Sequence, residues 1–138
     1  MTIVGFAFTK ISAERVKPID GPVSINNNIS VKEIQRQEIN MGQKKTQPAL
    51  KFVFEFVSDY DPKVGSILLE GEITYIADEK VIEAIVKDWK AKKVIEKDLM
   101  SIIINNALAR CNIQALVMSR DVNLPPPIPL PKLQVEEK

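Results

Sequence analysis

Histidine is absent from this chain. That one absence removes the commonest general base and the commonest metal ligand together, so no Ser-His or Cys-His nucleophile can be assembled. Cysteine occurs once, at Cys111, which excludes an internal disulfide and fits a reducing compartment. Its apolar helical setting predicts a small buried hydrophobe rather than a nucleophile or ligand. The five glycines stand singly at Gly5, Gly21, Gly42, Gly65 and Gly71. None opens a helix ahead of Lys-Ser or Lys-Thr, so a phosphate-cradling loop is not encoded. An excess of one charge is missing as well. Nineteen basic and eighteen acidic residues leave a formal +1, too little to concentrate nucleic acid or an anionic membrane near the protein. No run is long enough for a membrane span, and Met1 to Phe8 lacks the basic start of a signal peptide. A cytoplasmic protein with no nucleic-acid partner, no membrane insertion, no metal and no cofactor is the expectation.

What the chain does have is regular periodicity. In Leu50–Val57 the residues Leu50, Phe52, Phe54 and Phe56 fall on one side of a strand. Gly65–Ala77 repeats the alternation, with Ile67, Leu69, Gly71, Ile73 and Tyr75 sharing a face. Ser58 to Gly65 between them contains the Asp, Pro and Gly of a turn, which predicts an antiparallel hairpin. Ile3–Val16 and Val23–Ile39 are two more extended segments, separated by a proline-bearing stretch. The second loses strict alternation, which predicts a bulge or bend.

After Ala77 the period becomes helical. Asp78 is placed to cap, and Val81, Ile82, Ile85, Val86 and Trp89 line one face. Lys92 to Glu96 breaks the pattern. From Asp98 to Ser119 a second helix carries apolar residues around nearly its whole circumference, more than one small sheet can cover. Association with other chains, including a homo-oligomer, is therefore expected. The prediction is an α+β fold, a four-stranded antiparallel sheet with two helices packed on it. Residues 1–123 form one domain and 124–138 a proline-rich extended tail.

Paired carboxylates at Asp59/Asp61 and Glu70/Glu72 could hold a divalent ion or act as acid and base, but turn and strand-face surface explains both pairs. The chain is accordingly read as no enzyme, with no catalytic residues. The phenylalanines fit a packed sheet better than base-stacking platforms, since no basic groove accompanies them.

In element order, and in Phe8–Glu14, Val23–Ser30 and Ala109–Arg120 followed by the Pro- and Leu-rich run Leu124–Leu133, the sequence resembles the SecB-like superfamily of protein-export chaperones. The resemblance implies ATP-independent holding of unfolded or partly folded polypeptides in apolar grooves, by subunits paired as a dimer or dimer of dimers. Phe52, Phe54, Trp89, Leu124, Ile128 and Leu130 are the expected client contacts. An acidic patch that meets the export motor falls on Glu14, Leu68 and Glu70. The sequence departs from the family pattern in a longer helical stretch at Asp78–Lys93 and in too few residues after the proline run for a C-terminal helix. The alternative is an assembly or adaptor subunit of the same fold with one fixed partner.

Overall fold

Alternation in the first half of the chain becomes four long strands, and the helical period of the second half becomes two helices. The computed structural model describes residues 2–40, 42 and 45–127. In chain order the elements are β1 (Thr2–Arg15), β2 (Ser24–Asn40), β3 (Thr46–Asp61), β4 (Gly65–Ile76), α1 (Glu79–Lys92) and α2 (Lys97–Asp121). The strands form one antiparallel sheet in the order β1-β4-β3-β2. The expected α+β fold, a four-stranded antiparallel sheet with two helices, is thus the observed one. The hairpin turn is tighter than expected. Pairing continues from Ser58 to Asp61, against β2 on one side and, as far as Tyr60, β4 on the other, because Ser58 and Tyr60 keep the inward parity of the phenylalanines.

One face of the sheet carries the core. Leu50, Phe52, Phe54, Phe56 and Tyr60 of β3 and Ile67, Leu69 and Ile73 of β4 keep at most 1% of their surface exposed. Each such apolar side chain contributes ~1.5–3 kcal/mol through burial. Gly71 lies between Phe8 and Phe54 across the two neighbouring strands, and its missing side chain makes room for an aromatic cluster. The Phe6 ring stands 5.0 Å from Phe8 and 5.4 Å from Phe54, within the range of favourable aromatic pairs.

The predicted irregularity in β2 is a bulge at Lys32, between the Val31 and Glu33 pairings. β1 has two more, at Val4 and Thr9. Each extra residue moves the alternation over by one. Ile3, Phe6, Phe8, Ile11 and Ala13 therefore all sit opposite core-face residues of β4, although their numbers change parity twice.

α1 lies against β2 and β3, and α2 crosses β4, β3 and β2. Asp78 precedes α1 in extended conformation, but its side chain makes no cap bond; its carbonyl accepts from the Ile82 N–H. The break between the helices is where the pattern placed it. Lys93 ends α1 in the left-handed region, donates its N–H to the Trp89 carbonyl and sets its ammonium 5.3 Å above the Trp89 ring. Leu99, Ile103, Ala107, Cys111, Ala115 and Met118 are the inward side of α2. Arg110 extends cover to β1, its guanidinium 4.9 Å from the Phe6 ring.

Candidate functional site

α2 ends in a way that aims the following chain back at the sheet. Asn123 is left-handed and donates to Arg120 O, and Leu124 N–H reaches Ser119 O at 2.8 Å, the paired bonds of a Schellman motif. Leu124 is thereby pressed onto Gly65, where a Cβ would stand 3.1 Å from both of its methyl carbons and 2.4 Å from the Glu14 carbonyl oxygen. Pro125 and Pro127 then present their carbonyls to the end of the sheet. Tyr60 Oη donates to Pro125 O at 2.6 Å, and Asn27 Nδ2 donates to Pro127 O at 2.7 Å. Ser58, itself wholly buried, donates to Asn27 Oδ1 at 2.6 Å and so turns the amide N–H side toward the proline segment. Burial pushes the Tyr60 hydroxyl up to about 12. It therefore remains a donor at any neutral pH.

Directly beside Asn27 opens a groove of about 310 Å³ between β2 and α2, lined by Asn27, Asn28, Ile29, Phe56, Leu108 and Asn112. None of these residues is charged. Asn112 brings to this wall an amide oxygen that is buried without a hydrogen-bond partner, a condition that costs about 1–3 kcal/mol. A second groove, of about 390 Å³, lies where α1 and α2 meet. Tyr75, Val81, Ile85, Leu99 and Ile102 give it an apolar floor, and Asp88, Glu96 and Asp98 an acidic rim. Burial, with Glu96 second, raises the Tyr75 hydroxyl above its ordinary value. Between and beyond the grooves, α2 turns Ile102, Ile113 and Val117 outward at 55%, 67% and 39% exposure.

The residues expected to touch clients are distributed differently from the expectation. Phe52 and Phe54 have no exposed surface, and Trp89 and Leu124 keep 7% and 6%. They belong to the core and line neither groove. Ile128 and Leu130 lie outside the described residues. Glu14, Leu68 and Glu70 do come together, on the sheet face that no helix covers. Leu68 and Glu70 alternate with the core residues of β4, and Glu14 pairs with Ser66 beside them. The patch is mixed rather than acidic, since Glu70 faces Lys10 on β1 and Glu55 on β3, and Glu55 reaches Lys32 at 3.7 Å.

Asp59 and Asp61 line one pocket at the end of the sheet, and Glu70 and Glu72 share the open face of β4. Asp61 accepts from Asn26 Nδ2 at 3.1 Å, and Glu72 pairs with Lys51 at 3.6 Å. No group of three acidic or cysteine side chains suited to a metal occurs among the described residues. Cys111 is buried in the core, and burial pushes its thiol up to about 12. Among the described residues no helix is long and apolar enough to cross a membrane. Sequence reasoning did not find the Asn27, Ser58 and Tyr60 cluster. The available signal was parity: Ser58 and Tyr60 continue the inward side of Phe52, Phe54 and Phe56, where a serine needs a partner.

No protein-family model matches the sequence, and no curated protein matches it. Among solved structures, the chain is similar to a Mycobacterium tuberculosis SecB-like chaperone in complex with a ChAD peptide from an antitoxin. The two share 12% identity over 99% of this chain and 92% of that one, with a TM-score of 0.43.

Proposed function

We propose that this protein binds unfolded or partly folded polypeptides without ATP and without catalysis, in the manner of a SecB-like holding chaperone, as a cytoplasmic homo-oligomer. The observation that carries the reading is the two-sidedness of α2. Its inward row is fully engaged with the sheet, while Ile102, Ile113 and Val117 face outward on the same helix. Apolar side chains gathered on one outward face mark a surface for association. In this reading Ile113 and Val117 serve self-association, and the flanking grooves, with Ile29, Leu108 and Ile102 at their surface, take client chain. Phe52, Phe54, Trp89 and Leu124 act through the core that holds the sheet and α2 in place. Glu14, Leu68 and Glu70, on the opposite face of the sheet, are left free for a second protein while a client is held.

The test is suppression of aggregation. Several unrelated proteins are diluted from urea with and without the purified chain, in buffer free of nucleotide. The expected result is reduced light scattering for each client, with saturation at a fixed ratio. Failure on every client, alongside stable co-purification with one protein, would replace this reading with that of an adaptor dedicated to a single partner.

A further inference from the structure

The geometry points to a site for proline-rich, uncharged, extended polypeptide, formed by Tyr60, Asn27 and the groove between β2 and α2; this rests on the polypeptide-binding reading and names its ligand class. Proline lacks a backbone N–H, so a proline run offers its surroundings carbonyl acceptors and no donors. The end of this sheet is the complement of such a run. Tyr60 presents an O–H and Asn27 an N–H, while the one acceptor that Asn27 possesses is occupied by the Ser58 hydroxyl. The chain's own Pro125 and Pro127 show the match, with both carbonyls held at once. Beyond Asn27 the groove lining is neutral throughout, which disfavours charged occupants that would be stripped of water. Ile29, Phe56 and Leu108 in that lining suit an apolar side chain. The preferred ligand is thus a short proline run followed by an uncharged, apolar residue.

In the free protein Leu124–Pro127 occupies the donor pair, so a partner segment must exchange with it. That competition gives loss of the anchor and loss of a donor opposite signs. Leu124→Ala loosens the occupying segment at its Gly65 anchor and leaves the donors intact. Its apparent affinity for an added ligand should therefore rise, as expected when the competent fraction increases. Asn27→Ala and Tyr60→Phe each delete a donor that the occupying segment also uses, so their effect is read in the Leu124→Ala background, where each should weaken binding by about two- to tenfold, the range of one hydrogen bond.

The experiment titrates the full chain, Leu124→Ala and the two donor variants made in the Leu124→Ala background with the synthetic peptide Leu-Pro-Pro-Pro-Ile-Pro-Leu-Pro. Two control peptides carry alanine for every proline, or lysine for Ile and Leu. Calorimetry gives the affinity, and the Asn27 side-chain amide signal in the ¹⁵N NMR spectrum gives the location. Saturable binding of the first peptide only, with a shifted Asn27 signal, tighter binding by Leu124→Ala than by the parent and weaker binding by the donor variants than by Leu124→Ala, is expected. Equal binding of the alanine peptide, or donor variants that bind as tightly as Leu124→Ala itself, overturns the proposal. So does an absence of binding to Leu124→Ala, whose fold is verified by circular dichroism. An unfolded client titrated in parallel separates the two readings. Client binding without peptide binding removes only the proline-rich ligand, and loss of both removes the polypeptide-binding function as well.

Discussion

Replacing Gly71 by alanine should destabilise the protein, against the ordinary preference of strands. In an unobstructed strand the change stabilises by roughly 0.5–1 kcal/mol, since glycine loses more backbone freedom on folding. Here a Cβ would stand 2.6 Å from the Ala7 carbonyl oxygen and 2.6 Å and 2.9 Å from two ring atoms of Phe54. Such separations require movement of the ring, whose neighbours Phe6 and Phe8 lie at 5.4 Å and 6.4 Å, and of the β1 backbone. Overpacking of this kind costs about 1–3 kcal/mol. The net expectation is a loss of ~1–2 kcal/mol, which lowers the urea midpoint by roughly 0.5–1 M at an ordinary slope. Combining Gly71→Ala with Phe54→Leu should cost less than the sum of the two single changes, because the leucine withdraws the ring atoms that the methyl meets. Urea unfolding followed by Trp89 fluorescence measures all three variants. A Gly71→Ala protein as stable as the parent, or a strictly additive double variant, would refute the packing described for the aromatic cluster.

Two further expectations follow from burial and exposure. Cys111 and Tyr60 are acids whose folded pKa values are raised to about 12 from ordinary values of 9.0 and 10.0. The unfolded chain therefore gives up these protons first as pH rises. Stability should be at its full value below about pH 9 and should fall progressively toward pH 12, with a shallower decline in Tyr60→Phe. A pH series of urea midpoints checks this, and a midpoint that rises across the interval contradicts it. Ile113→Asp, at a position 67% exposed, should change stability by no more than about 0.5 kcal/mol while reducing the mass found by light scattering; an unchanged mass places self-association elsewhere.

Much of this architecture is legible in the amino-acid sequence. The phenylalanine row of β3, the matching row of β4 and the break at Lys92 to Glu96 each follow from periodicity, because one buried face imposes its repeat directly on the sequence. Strand order is not encoded that way. β1 and β2 are both amphipathic, and nothing in their alternation says that β1 lies beside β4 while β2 lies beside β3. The β1 bulges were readable in principle, as Ile3, Phe6, Phe8, Ile11 and Ala13 share a face only if Val4 and Thr9 are extra residues. At the site, apolar character identified Phe52, Phe54, Trp89 and Leu124 but not their depth, since a core phenylalanine and a groove phenylalanine have the same pattern. The donor cluster of Asn27, Ser58 and Tyr60 joins residues that are 31, 65 and 100 positions from their partners. Such a meeting exists only once β2, β3 and the end of α2 are packed together.

Uptake of polypeptide beside α2, on the helix-covered face of the sheet, is the central claim. Methyl NMR of the isoleucine- and leucine-labelled protein, with and without a chemically unfolded client, measures that directly. Shifts or broadening at Ile29, Leu108 and Ile102, with Leu68 and Ile76 unchanged on the open face, are the predicted result. A client that perturbs Leu68 and Ile76 while leaving the groove methyls untouched would contradict it.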